Sequence, residues 1–283
     1  MVRSLEGIEE QEKEPAVEKK KVNQHKNVLV TGANGYLAQN IIQSLSSHTI
    51  HKLTRENNSK EYILECNPDI VIHTICSYGR DKESISSIYD SNFIVGMRIL
   101  ETLKELEKSV TFINCGSGLQ KYDNLYSISK TQFVELGKFL SDDKLRFVNM
   151  NLEHFYGPSA PNNFISLIVN KCKNNESIPL TEGKQRRDFI HVYDVCSAFN
   201  AVLNHIDTLD SFVEIDVGTG ISTPVRAVVE LIKKNSNSNS KLLFGEVPLA
   251  NNQVSEMCAN TKKLESLGWK PKYNLEKGLI QLL

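Results

Sequence analysis

The chain has 283 residues, 33 basic against 34 acidic side chains and a formal net charge of −1, enough for one large α/β domain or a nucleotide-binding domain with a smaller one appended. So balanced a charge provides no global field for nucleic acid or a membrane surface. No apolar stretch nears the length of a membrane span, and no N-terminal apolar core marks a signal peptide.

Residues 1–26 carry six acidic and six basic side chains and few apolar ones, which predicts a flexible, solvated leader outside the fold. The run Asn27 to Thr31 then suits a buried parallel strand, and the segment from Tyr36 onward suits a helix packing back on it. Between them stands Gly32-Ala33-Asn34-Gly35-Tyr36-Leu37-Ala38. Gly32 allows a tight turn, Gly35 lets the backbone approach a diphosphate at the helix N-terminus, and Ala38 permits close strand–helix packing. The pattern is Gly-x-x-Gly-x-x-Ala, so by itself it is a weak dinucleotide signal.

Strands are predicted at 27–31, 49–54, 70–75, 109–115 and 145–151, and helices at 35–47, 60–66, 84–107 and 126–141. This alternation predicts an α/β, Rossmann-type parallel sheet with helices on both faces over residues 27–155. Ligands in such sheets sit beyond the carboxyl ends of the strands. Gly32, Arg55, Cys76 to Gly79 and Gly116 to Gly118 fall there. After residue 155 the pattern shortens, with helices near 163–174, 193–205, 223–234 and 274–282 and strands near 187–191 and 212–216. Residues 156–283 therefore read as a smaller substrate-binding lobe that partly returns to the first domain. The six cysteines, Cys66, Cys76, Cys115, Cys172, Cys196 and Cys258, show no CxxC or paired spacing. They read as reduced, mostly buried residues of a cytoplasmic protein without a metal site.

Tyr126 and Lys130 stand one helical turn apart, on one face. An ammonium near a phenol favours the phenolate, which suits a tyrosine that exchanges a proton. The same spacing occurs at Tyr78/Lys82 and Tyr273/Lys277, so context has to discriminate. Tyr126 opens a helix just after the fourth strand, which ends in Cys115-Gly116-Ser117. Ser117 can there donate to the carbonyl oxygen that Tyr126 protonates.

Taken together, Thr31 to Ala38, the Tyr126/Lys130 pair, Glu153 to Pro158, Arg187 to Val195, Val217 to Gly220 and Leu267 to Pro271 resemble the extended short-chain dehydrogenase/reductase superfamily, the NAD-dependent epimerase/dehydratase family. Within it, Phe147 to Pro158 is most similar to the CDP-abequose and CDP-paratose synthase group. The resemblance implies NADPH-dependent reduction of the 4-keto group of a nucleotide-linked deoxysugar. In that frame Ser117 and Tyr126 bind and protonate the sugar C4 oxygen, and Lys130 holds the nicotinamide ribose and lowers the Tyr126 pKa. Gly32, Asn34, Gly35, Tyr36, Leu37 and Arg55 face the cofactor. Tyr78, Asn163 and Arg187 face the substrate, with Arg187 on its diphosphate. The second strand ends Lys52-Leu53-Thr54-Arg55 with no carboxylate before Glu56. A guanidinium there suits a 2′-phosphate, which favours NADP(H) while leaving NAD possible.

The chain also departs from the family. The stretch from Arg55 to Pro68 is too short for the additional strand most relatives carry. Ser117 lies unusually close to Tyr126, and Asn151 stands where an arginine is common. Gly118 and Leu119 replace the Asp-Glu pair of sugar dehydratases, which argues against elimination of water. A nucleotide-sugar epimerase with tightly bound NAD is the alternative, and a non-catalytic nucleotide-binding regulator the second. Relatives are commonly homodimers built on helices near 84–107 and 126–141; Ile94, Met97, Leu100 and Leu103 suit either that interface or packing on the sheet.

Overall fold

The structure is a computed structural model that describes residues 25–79, 82–119, 123–161, 163–249 and 254–283. The predicted leader lies, up to residue 24, outside the described residues. The first half runs β1 (Asn27–Thr31), α1 (Tyr36–Ser44), β2 (Thr49–Leu53), α2 (Lys60–Cys66), β3 (Ile70–His73), α3 (Ile85–Tyr89), α4 (Val95–Leu103), β4 (Val110–Ser117), α5 (Leu125–Leu140) and β5 (Leu145–Leu152). The second half adds β6 (His154–Tyr156), α6 (Phe164–Lys173), β7 (Ile178–Leu180), β8 (Arg186–His191), α7 (Val192–Asn204), β9 (Phe212–Val217), β10 (Ser222–Pro224), α8 (Val225–Asn235), β11 (Leu242–Phe244), α9 (Lys262–Ser266) and α10 (Leu275–Ile280).

Six parallel strands form the main sheet in the order β2-β1-β3-β4-β5-β9. Its central strands β1, β3 and β4 are largely apolar on both faces, and helices cover both. Val28, Val30, Ile72, Val148 and Ile215 pack against α1 and α7, whereas Leu29, Val71, Phe112 and Phe147 pack against α2, α4 and α5. β2 is the sheet edge, since the short stretch after it forms only α2. β9 returns from the second half to pair with β5.

The remaining strands are short and form two small sheets, β10-β8-β6 and β11-β7. They enclose a separate core of Tyr156, Ile165, Ile168, Phe189, Val228 and Leu279. The chain end is fastened to α7: the buried Asp194 carboxylate accepts from the backbone N–H of Lys272 and Tyr273, both at 2.9 Å. Trp269 Nε1 donates to Ser197 Oγ at 2.7 Å.

Two expectations change. The helix predicted over 84–107 is α3 and α4 joined by a π-helical turn, Asp90–Ile94. That wider turn carries the fully buried Asn92. Leu100 and Leu103 are buried against the sheet, so they do not offer the interface surface that their pattern left open. Of the six cysteines, all free, four are buried, Cys76 is half-buried and Cys258 is exposed. Among the described residues no helix is long and apolar enough to cross a membrane.

Candidate active site

A cavity of about 960 Å³ lies at the carboxyl ends of the main-sheet strands. One end is the turn between β1 and α1. Gly32 takes φ +63°, a left-handed conformation that disfavours a side chain. A Cβ at Gly32 would also press on Thr74 and Ile75 at 3.1 Å. The N–H of Gly35 closes the turn on Gly32 O at 2.8 Å. No side chain caps α1, so its first N–H groups and the positive end of its dipole are free to meet an anion. Asn34, Tyr36, Leu37 and, from the end of β2, Arg55 line the same region. Glu56 lines it as well. These features fit a dinucleotide diphosphate.

Ser117, at the end of β4, and Tyr126, on the first turn of α5, line the inner part of the cavity. Asn124 caps α5 and forms a reciprocal capping box with Ser127. Asn92 then ties this turn to the loop after β3. Its amide donates to Ser77 O at 2.8 Å and to Ser129 Oγ at 3.0 Å, and its oxygen accepts from Ser77 N at 2.7 Å. Ser129 Oγ in turn donates to Tyr126 O at 2.9 Å.

Tyr126 does not show the lowered pKa that the Tyr-Lys spacing predicts. Burial raises it, with the Cys76 and Cys115 thiols adding to the rise, and the Ser117 hydroxyl opposes them. The phenol is thus held protonated, which is the form of a proton donor. Lys130 is also buried, and burial lowers its pKa against the opposing pull of Cys76 and Cys115. It does not line the large cavity but a second one of about 350 Å³, which meets the first at Gly116, Ser117, Leu119, Glu153 and Met257. Beneath it lies His73, whose Nδ1 is 2.9 Å from Thr31 Oγ1. Burial, and secondarily the Lys130 charge, depress the His73 pKa to about 3.

The predicted substrate residues separate. Tyr78 lines the large cavity, half exposed, with its ring stacked on Tyr126. Asn163 lines it too while capping α6, its Oδ1 accepting from Ser166 N at 2.8 Å. Arg187 does not reach it. Its guanidinium is buried beside Glu153 and donates to Arg186 O at 2.6 Å. The other Tyr/Lys pairs lack helical geometry or position: Lys82 sits at φ +62°, and Tyr273 stacks on His191 at 4.2 Å. Sequence reasoning missed Asn92, Glu153, His154 and Met257 as parts of this site. Met257 reaches it only because its N–H pairs with Arg186 O on β8, at 3.1 Å. Among the described residues no cluster of three His, Cys, Asp or Glu could hold a metal ion.

Comparison with known proteins bears on the family and the fold. Residues 28–218 match the model of the family described as the NAD dependent epimerase/dehydratase family. The CDP-abequose synthase of Salmonella muenchen is 32% identical over 287 residues, covering 92% of this chain and 97% of that protein. Among solved structures, the UDP-glucose 4-epimerase of Thermus thermophilus in complex with NAD superposes with a TM-score of 0.76 at 18% identity, covering 90% of this chain and 96% of its own. RMD from Pseudomonas aeruginosa, complexed with NADPH, gives 0.74 at 19% identity, with the same coverage of both chains.

Proposed function

The chain belongs to the NAD dependent epimerase/dehydratase family, and from that premise we propose that it reduces the 4-keto group of a nucleotide-linked deoxysugar with NADPH. The observation that carries this reading is Ser117 and Tyr126 standing in one cavity with the Gly32–Ala38 turn. A CDP-linked 4-keto-3,6-dideoxyglucose is the substrate class favoured, because the similarity to the Salmonella CDP-abequose synthase extends over nearly the whole of both chains.

In this reading the α1 N-terminus and Asn34 hold the cofactor diphosphate, and Arg55 holds a 2′-phosphate by charge and fork geometry. Reduced nicotinamide, when bound, supplies hydride to C4. Ser117 donates a hydrogen bond to the C4 oxygen, and Tyr126 gives it the proton. Burial leaves the phenol protonated but a weaker acid, and the Ser117 hydroxyl opposes that rise. Asn92 holds the turn that aims Tyr126. Arg187 supports Glu153 rather than the diphosphate. In this reading the protein is a homodimer, with the half-buried Ile94 and Met97 as apolar contacts.

One observation favours the alternative of an epimerase retaining NAD: Glu56 lies at the same end of the cavity as Arg55, and a carboxylate there can take ribose hydroxyls. The deciding experiment supplies CDP-, dTDP- and UDP-linked 4-keto-sugars with NADPH and follows nicotinamide absorbance. Stoichiometric consumption of NADPH supports the reductase. Interconversion of nucleotide sugars without added cofactor overturns it in favour of the epimerase.

A further inference from the structure

Gly118 and Glu153 fit each other. Gly118 follows Ser117 directly, and its N–H donates to Leu152 O at 3.0 Å. Glu153 is anchored opposite by its own N–H on Val217 O, also at 3.0 Å. The space that a Cβ at residue 118 would need is occupied by the Glu153 carboxylate, with Oε1 2.5 Å from that position. The missing side chain therefore admits a carboxylate to the floor of the cavity, beside Ser117.

One oxygen of that carboxylate has no hydrogen-bond partner in the protein. Its side chain is 5% exposed, and Oε2 is buried without a hydrogen-bond partner. The nearest ring nitrogen, His154 Nδ1, stands 3.5 Å away and is likewise buried without a partner. Arg187 contributes charge nearby but spends a hydrogen bond on Arg186 O. Buried carboxylate oxygens left without a donor are costly, and both Glu153 and His154 line the large cavity together with Ser117 and Tyr126.

We infer that Glu153 is a specificity-determining residue whose carboxylate accepts a hydrogen bond from a hydroxyl of the sugar ring. This rests on the 4-ketoreductase reading, which also names the hydroxyl. In a 4-keto-3,6-dideoxyhexose attached through C1, carbons 3 and 6 carry no oxygen and C4 carries the ketone. The C2 hydroxyl is then the one donor left on the ring. A buried carboxylate waiting for a single hydroxyl rejects rings that lack it, because the charge is then left unpaired in the closed site.

The test compares CDP-4-keto-3,6-dideoxyglucose with its 2-deoxy counterpart, by kcat/KM with NADPH and by equilibrium titration of each sugar nucleotide. Wild-type protein is expected to lose about 10- to 100-fold on the 2-deoxy sugar. Glu153→Ala is expected to lose as much on the parent sugar and nothing further on the 2-deoxy sugar. Glu153→Gln, which keeps the shape and an acceptor oxygen, should fall between them. Full discrimination retained by Glu153→Ala, or no discrimination by wild type in titration, overturns the inference. So does a Glu153→Gln protein that melts lower and still discriminates fully, which would make Glu153 only a counter-charge for Arg187. Discrimination that depends on Glu153 in titration, without any turnover of NADPH, upholds this inference and defeats the reductase reading instead.

Discussion

The ring of Tyr78 stacks on that of Tyr126, with centroids 5.1 Å apart and planes 27° from parallel. One tyrosine comes from the loop after β3, the other from the first turn of α5, and both line the large cavity. Tyr78 thus covers one face of the proposed donor and restricts where its hydroxyl points.

Tyr126→Phe keeps that stacking and removes only the proton. We expect kcat to fall by about 10²- to 10⁴-fold, with NADPH affinity unchanged in a fluorescence titration. Full activity in this variant would show that the proton comes from another group.

Arg55→Ala addresses cofactor choice. Loss of a guanidinium that pairs with a 2′-phosphate should raise the KM for NADPH by about 10- to 100-fold. The KM for NADH should barely move. Steady-state kinetics with both cofactors measures this, and equal effects on the two would remove Arg55 from the site.

Acid should destabilise the fold through two histidines. Burial lowers the pKa of His73 to about 3 and that of His191 to about 4, from an ordinary 6.5. Both stay neutral in the folded protein while the unfolded chain takes up protons. Stability is therefore unaffected above pH 6.5 and falls as pH drops from there towards 4. Each histidine can contribute about 1.4 kcal/mol per pH unit in that window. Urea unfolding at pH 7, 6 and 5 should show the decline, and His73→Leu, although weaker at pH 7, should show a shallower one.

Asp188 organises the loop after β9. Its buried carboxylate accepts from the N–H of Thr219, Gly220 and Ala259 at 2.9–3.3 Å and from Thr219 Oγ1 at 2.6 Å. Asp188→Ala strands these donors, and urea denaturation should register a loss of about 2–5 kcal/mol. Asp188→Asn, which keeps an acceptor oxygen, should lose less.

The main sheet was legible because parallel strands buried on both faces are continuous apolar runs, as in Asn27–Thr31 and Ile70–His73. The turn at Gly32 and Gly35 and the capped start of α5 are likewise local. The three-residue strands β6, β7, β10 and β11 carry no period of their own. They exist because distant segments pair, as Ser222–Pro224 does with Arg186–Asp188.

Local sequence was enough for a glycine turn after β1, a helix starting within a residue of Tyr126, and a serine at the strand end before it. Those features depend on backbone conformation and on side chains within one or two turns of each other. Tertiary structure alone decided the electrostatics. Burial raised the pKa of Tyr126 and lowered that of Lys130, because desolvation depends on everything packed around a group and not on its spacing from a neighbour. Tertiary structure also buried Arg187 beside Glu153 and brought Glu153 into the space left by Gly118. Residues 35 positions apart in the chain meet there because β4 and β5 lie side by side in register, Ser117 opposite Leu152.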